Sequence, residues 1–563
     1  MNTRDIISTL VALLLTLLVG SCADNSMIDI SVDKPSSITD KEYLNRYDAL
    51  KTYVDHTKYP NFKLGAGAVV SDITASNVAA RLTWANFDEI TAGNCFKYSS
   101  IVSSDGTMDF TNVEKFIAQC DSNNVSVYGH TLCWHAQQQV SYLNELITDP
   151  NAVRHVLYVN TGEAQTNLWD RELYVNPSTT LEKGKTYTLK MRAKASVDAS
   201  ITVWAQGDST TQYWPTPSFS VSTEWEEISK SFEAQQAIRQ IRFELGQFGG
   251  ELWMDDVQLL DPDGNNLIAN GTFEDDGIDG WTKPSYHDYT LKVVNDPDQQ
   301  SNAESMTEET IKDTLTWAMG NFIRGMMNAC EGKVKAWDVV NEPMSDSAPS
   351  ELKSGDREGD TKNNFYWQDY LGKDYARVAI KLAREYGPSD IKLFINDYNL
   401  EAAYNNNAKC KGLIDMINYW ESDGVTKIDG IGSQMHVTYA MNAETQVKNE
   451  EAYINMLNLL AATGKLIRIS ELDMGITDED GNTIYTENVT DEQAAGMAEY
   501  YKFIVSKYLE IIPASQQYGI CHWSPVDSPS DNSWRGGEPI GLWDLNYSRK
   551  PAYAGFVKGL TGE

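Results

Sequence analysis

Short apolar runs that end abruptly in polar residues, separated by helix-like stretches, limit what this chain can fold into more than any other feature. Phe62–Val70 (FKLGAGAVV), Val125–Trp134, Val334–Asn341, Ile391–Asn396, Ile428–Met435, Leu466–Leu472 and Gly519–Trp523 read as buried strands. Between them Glu308–Cys330, Tyr370–Tyr386, Lys409–Ser422, Glu450–Thr463 and Asp491–Tyr508 read as helices. Parallel neighbours need a crossover, so repeated strand–helix alternation predicts a parallel sheet, and about eight such units predict a closed α/β barrel, the (β/α)8 TIM type. In that barrel the C-terminal strand ends share one face, where the chemistry sits. His130, Asn341, Glu342, Asn396, Asp397, Gln434, His436 and Glu471 stand at those ends.

The alternation fails between Arg154 and Tyr286. No long helical pattern occurs there. Instead Tyr187–Ala193, Ser200–Ala205, Glu226–Phe232, Gln240–Leu245 and Leu252–Leu260 alternate with a period of two, the pattern of a β-sandwich. The run falls after the third barrel strand and before the helix expected to follow it. Such a module enters a βα loop easily when its ends lie close together. The expected division is a discontinuous barrel over 43–153 and 287–563, with an all-β module over 154–286 inside it.

Residues 4–22 (RDIISTLVALLLTLLVGSC) place one Arg before an apolar stretch, Leu10–Val19, and small residues before Cys22. That stretch is short for a membrane span and fits a cleaved export signal. Val-Gly-Ser-Cys resembles a bacterial lipobox. This implies lipid on Cys22, a tether over 23–42 and an outer-membrane location, at the cell surface or on the periplasmic side. The six other cysteines are scattered, with neither a CxxC pair nor metal-ligand spacing, and read as isolated buried thiols. The formal charge of −34 disfavours nucleic acid and anionic membrane surfaces as partners. Fifteen Trp and 29 Tyr beside 7 His turn expectation away from zinc and toward neutral polyols that stack on rings. A monomer is expected.

Glu342 in AWDVVNEPM and Glu471 in RISELDM follow apolar strands and are expected in the mouth of the barrel. Two carboxylates facing each other across a sugar are the minimum machinery for glycoside hydrolysis. One stays protonated to donate to the departing oxygen; the other is ionised and attacks the anomeric carbon. Their separation decides between retention and inversion, and a sequence does not measure it. A structural ion pair explains one acidic strand end, but two in order on a barrel point to this chemistry.

GHTLCWHAQ (129–137), WDVVNEP (337–343), LFINDYN (393–399), GIGSQMH (430–436), SELDM (470–474) and GLWDLNYSRKPAY (541–553) resemble, in order, glycoside hydrolase family 10. That family comprises retaining endo-1,4-β-xylanases on a (β/α)8 fold, and the resemblance covers residues 43–150 and 287–561. It implies that Glu342 is the general acid/base and Glu471 the nucleophile, with no catalytic cofactor. It implies further that Asn341 bonds the 2-hydroxyl of the sugar at the cleavage point and that His436 orients Glu471. Gln434 would line the same subsite, Lys97 and His130 would hold other hydroxyls, and Trp134, Trp523 and Trp534 would wall it with rings.

One departure is informative. TAGNCFKYSS (91–100) keeps Asn94 and Lys97, both substrate-binding positions by the resemblance, but has Gly93 and Tyr98 where the family usually has glutamate and tryptophan. Losing that glutamate removes a charged hydrogen bond of about 1.5–3 kcal/mol and opens the subsite to a decorated xylose.

The inserted run holds Trp169, Trp204, Trp214, Trp225, Trp253 and Trp281. Its segments TYTLKMRAKA, FELGQFGGELWMDDVQLL and NLIANGTFEDDGIDGW are similar to β-sandwich carbohydrate-binding modules of the family 4/9/22 type. The NGxFE-like segment usually comes first in such modules and trails here, so the module is permuted or the segment is the stub of a second one. Tyr213 and Trp214 are expected to grip sugar, and Asp256 and Glu274 to share a structural calcium. The expected whole is a lipid-anchored retaining endo-1,4-β-xylanase with a xylan-binding insert. The alternatives are a barrel glycosidase acting on another β-1,4-glycan and a surface glycan-binding protein with an inactive barrel.

Overall fold

The computed structural model describes residues 41–148, 154–207, 212–213, 216–274, 277–298 and 306–563. Cys22, nearly all of the expected tether, Trp214 and the side chain of Tyr213 lie outside the described residues. The chain separates into two compact units, 1–146 with 308–563, and 147–307.

The first unit is a closed barrel of eight parallel strands: β1 (Lys63–Ala68), β2 (Glu89–Ala92), β3 (Ser126–His130), β4 (Ala336–Asn341), β5 (Lys392–Asp397), β6 (Gly430–Ser433), β7 (Leu466–Thr477) and β8 (Gln517–His522). Each pairs with the next, and β8 closes on β1 with Gly65 opposite Cys521. Helices coat the barrel by burying one stripe each. Glu308–Cys330 buries Leu315, Met319, Phe322, Ile323, Met326 and Cys330, the three-and-four spacing of a single helical face. Asp491–Ile511 starts at a capping box in which Thr490 and Gln493 satisfy each other's backbone amides. Beside His130, Gly129 packs so close to β4 that a Cβ there would lie 2.1 Å from the Trp337 indole. The six described cysteines are free and buried.

Strand β2 is absent from the apolar pattern. Its residues are Glu-Ile-Thr-Ala, all buried, and its polar ones are satisfied inside the barrel. Glu89 pairs with Lys63 (3.1 Å) and accepts from the Tyr518 hydroxyl (3.0 Å), while Thr91 accepts from Arg468 (3.0 Å).

The second unit is a sandwich of two antiparallel sheets. One has the order 226–233, 186–195, 250–260, 155–162, 290–295; the other runs 281–282, 172–175, 240–244, 199–206, 212–213, with 219–221 also on 199–206. Leu157, Leu189, Met191, Ile201, Val203, Phe243, Leu252 and Leu259 fill its core. One expected boundary shifts. Strand Thr290–Asn295 pairs with His155–Gly162, so the sandwich runs past the expected boundary at 286. The interruption falls where expected, after β3 and before the helix Glu308–Cys330, with a short helix, Val140–Ile147, between β3 and the insert. The trailing segment completes this sandwich instead of starting another: Trp281 pairs with Val175, and Phe273 packs on Trp281 inside the same core.

Candidate active site

Glu342 follows β4 in a left-handed conformation (φ 52°), and its amide donates to the Asn396 carbonyl (2.7 Å) at the end of β5. Glu471 lies within β7, its amide donating to the Gln434 carbonyl (3.1 Å) beyond β6. Asn396 ties the two sites together. Its Nδ2 donates to Asn341 Oδ1 (2.9 Å) and to Glu471 Oε1 (3.0 Å), and its Oδ1 accepts from Ser470 (2.6 Å). Asn341 Nδ2 then donates to Glu342 Oε1 (3.2 Å), as does Gln434 Nε2 (2.9 Å), while Trp134 Nε1 donates to Oε2 (3.1 Å). The ends of five strands, β3 to β7, therefore feed one network that holds both carboxylates.

The proton affinities of the two carboxylates are pushed in opposite directions. Burial raises Glu342, and the negative Asp397 and Glu471 add to it against the pull of Lys353 and the Gln434 amide. Burial would also raise Glu471, yet His130, His436 and Lys97 overcome it and bring it to about 2. His436 stands between two acids, with Nε2 3.5 Å from Glu471 Oε2 and Nδ1 3.0 Å from Asp473 Oδ2. Burial opposes its charge, but the two carboxylates raise it to about 10. Asp473 is itself held by Trp534 Nε1 (2.9 Å) and Arg535 Nη1 (2.8 Å). Acidic pairs whose environments push their proton affinities apart are the signature of divided acid and nucleophile or base roles.

The other expected residues gather around this pair. The Lys97 ammonium lies 4.9 Å from the Trp134 ring and donates to Asn94 Oδ1 (3.2 Å). Burial lowers Lys97, with Glu471 and Glu342 opposing. His130 Nδ1 bonds Asp338 (2.8 Å), which also accepts from Tyr128 (2.7 Å), and Trp523 lies edge-on to the His130 ring at 5.7 Å. Trp534 is T-shaped on His436 at 4.6 Å and 41% exposed. Tyr98 is core, packed on Phe322 at 4.8 Å, and a Cβ on Gly93 would meet only the Ala68 carbonyl, at 3.8 Å. Asn396, placed by sequence at a strand end but given no role, belongs to the site, as do Asp338, Asp473 and Lys353, which sequence reasoning does not single out. Asp473 had a signal, since two residues beyond Glu471 on a strand is the same face. Lys353 lies in a loop and had none. Beside His436, a depression of about 910 Å³ opens among Asn399, Tyr404, Asn406, Thr438 and Asn449.

The sandwich has a cleft of its own, about 650 Å³, between the exposed rings of Trp169 (53%) and Tyr286 (78%). Its floor is Tyr174, with the Arg242 guanidinium 4.5 Å from that ring, and Glu172, which accepts from the Tyr174 hydroxyl (2.6 Å) and Arg242 (3.3 Å). Asp256 sits at a left-handed φ of 51°, and Glu274 accepts from the amide and ring of His155, each at 3.3 Å. Among the described residues no group of three or more His, Cys, Asp or Glu side chains could hold a metal.

The model of glycosyl hydrolase family 10 matches residues 54–162 and 297–559, and that of a carbohydrate binding domain matches 120–246. Endo-1,4-beta-xylanase A of Cellvibrio japonicus (strain Ueda107) is 35% identical over 41% of this chain and 38% of its own length. Endo-beta-1,4-xylanase Xyn10C of Cellvibrio japonicus is 31% identical over 41% of this chain and 37% of its own. The chain thus matches well under half the length of these relatives. Xylanase B from Clostridium stercorarium F9 shares the fold, with a TM-score of 0.53 at 17% identity over 91% of this chain and 99% of that one. On the match across both halves of its barrel, the chain belongs to glycosyl hydrolase family 10 and carries a carbohydrate-binding domain inserted within it.

Proposed function

We propose that the barrel is a retaining endo-1,4-β-xylanase and that the insert holds the same polymer. The observation that carries this reading is the pair Glu342 and Glu471, hydrogen-bonded through Asn341 and Asn396 yet pushed in opposite directions in proton affinity. In the first half-reaction Glu471 attacks the anomeric carbon and forms the glycosyl ester. The glycosidic C–O bond breaks with its electron pair on the departing oxygen, which takes the proton of Glu342. In the second, water attacks the same carbon, Glu471 leaves with the ester electron pair, and the water proton passes to Glu342. Asn341 bonds the 2-hydroxyl, Lys97 with Asn94 and His130 hold the other hydroxyls, Gln434 lines the subsite, and Trp134, Trp523 and Trp534 cover the sugar's C–H faces. The printed names of the Cellvibrio japonicus relatives support xylan as substrate.

The open space at Gly93 supports acceptance of a decorated xylose at the neighbouring subsite. Faster cleavage of bare than of decorated xylo-oligosaccharides would remove that refinement. Export with lipid on Cys22 completes the reading, and a thiol-modified, unacylated Cys22 in membrane fractions would remove that part. The main test is xylan hydrolysis followed by NMR. The β-anomer should appear first with the wild type, and Glu471→Ala should release none. An inverted first product, or undiminished activity in the variant, overturns the mechanism.

A further inference from the structure

Among the described residues Glu342 makes one ion pair, with Lys353, whose Nζ is 3.9 Å from Oε2. Lys353 comes from none of the eight strands. The chain after β4 folds back so that the Lys353 amide donates to the Pro343 carbonyl (2.8 Å) and Leu352 bridges to Met344. Gln368 Nε2 holds the Lys353 carbonyl (2.7 Å). This loop exists in a form that returns a lysine to the back of the glutamate it began from.

The ammonium is 5% exposed and donates to the Tyr398 hydroxyl (2.8 Å), whose own proton goes to Asp346. A second buried lysine, Lys409, lies against the Tyr398 ring and pairs with Asp346 (2.8 Å) and Asp397 (3.1 Å). Asp397 also accepts from the Met344 amide (3.0 Å). His135, kept neutral by burial and by the two lysines, is the remaining titratable group facing Lys353.

The charges divide unequally. Among the described residues Lys409 has two carboxylates within 4 Å and Lys353 has one, Glu342, while Asp346 feels both lysines. Lys353, Lys409, Asp346 and Asp397 cancel, so the cluster is neutral while Glu342 is protonated. When Glu342 ionises it faces Asp397 and Glu471, both negative, and Lys353 is the cation that answers it. A buried carboxylate stripped of its counter-ion takes up a proton instead of staying charged.

We propose that Lys353, held in place by Tyr398, is a positioning residue for Glu342 that serves the water-attack half of the reaction by keeping the carboxylate form available to accept the water proton. The inference rests on Glu342 being the acid/base. The step itself is that of the second half-reaction above: the C–O bond to water forms, the ester bond to Glu471 breaks, and one proton moves from water to Glu342.

The test uses the full chain and 2,4-dinitrophenyl β-xylobioside, whose leaving group departs without needing a proton. In Lys353→Met the burst of dinitrophenolate should keep its rate within about twofold, while the steady rate, read on the acid limb, falls by up to about tenfold. The acid limb of kcat should move to higher pH by about one unit, because Glu342 holds its proton more tightly without the cation. Lys353→Arg should restore the limb. A burst rate that falls in step with the steady rate, or an unmoved limb, overturns the inference. Glu342→Ala with azide separates the two levels. Formation of β-xylobiosyl azide beside an unmoved Lys353→Met limb removes this inference alone; no azide product removes the reading of Glu342 and this inference with it.

Discussion

The barrel and the sandwich each present a polar, ring-lined cleft, but they build it by opposite means. In the barrel the chemistry-bearing groups come from strands far apart in sequence and fasten one another. Asn396 bonds Asn341 and Glu471, while Asp473 receives His436, Trp534 and Arg535. In the sandwich the cleft lies against neighbouring strands and a flanking loop, its outer rings Trp169 and Tyr286 largely exposed, and close by the buried Glu244 carboxyl faces Glu172. Stabilising a transition state requires donors fixed to fractions of an ångström, and there Asn396 and Asp473 each hold several of the groups. Retaining a polymer asks less: exposed rings for the sugar faces and a few polar groups between them.

That contrast can be broken in order of size. Glu471→Ala should lower xylan hydrolysis by about 10⁴-fold or more while retention on insoluble xylan stays at the wild-type level, read by product release and by pull-down. A variant that loses both together would show the two clefts to be one device. Next, kcat/KM for xylotetraose, whose leaving sugar needs a proton, should fall about tenfold per pH unit once Glu342 loses its own. The acid side should hold toward pH 2, because Glu471 stays ionised to about that value. An acid limb near the ordinary carboxylate range would assign Glu471 a weaker electrostatic hold than its neighbours provide. Trp169→Ala and Tyr286→Ala should each weaken retention on insoluble xylan by roughly tenfold, with turnover of the short aryl substrate within about twofold. Unchanged retention would move the binding face elsewhere, to the Tyr213 and Trp214 expected from sequence.

The smallest effect is on stability. Burial and the nearby Glu172 raise Glu244 to about 8. A carboxyl whose folded value lies above its unfolded one stabilises fully below the unfolded value and loses that contribution as pH rises through the folded one. Hydrogen-exchange protection of Gln240–Glu244 in the full chain should therefore weaken between pH 5 and pH 8, and Glu244→Gln should flatten the dependence. Protection that rises with pH in the wild type would contradict it.

Much of the barrel was legible because a parallel strand buried on both faces must be written in apolar residues, and seven of the eight strands are. Strand β2 was not, since its inward positions, Glu89 and Thr91, are polar and find their partners on β1, β7 and β8. Glu342 and Glu471 were legible because carboxylates at the ends of apolar strands break a pattern. Lys353 reaches the same cleft from a loop, where no period exists to be broken. In the sandwich, alternation marked the strands well, but which rings stay outside depends on how loops fold over the sheet, and Trp169 stands out only once Tyr286 is placed opposite it.

The paired ends of the sandwich, with Asn295 opposite His155, carry a consequence for synthesis. Strands β1 to β3 leave the ribosome first, and the whole 147–307 unit must follow before β4 arrives. At about 5–20 residues per second, that interval is roughly ten to thirty seconds. The sandwich has both its edges and its core in hand during that time, whereas the three barrel strands are a fragment with two open edges, β1 waiting for β8 and β3 for β4. The nascent chain must therefore keep a half-built sheet from finding the wrong neighbour while a finished module forms in the middle of it.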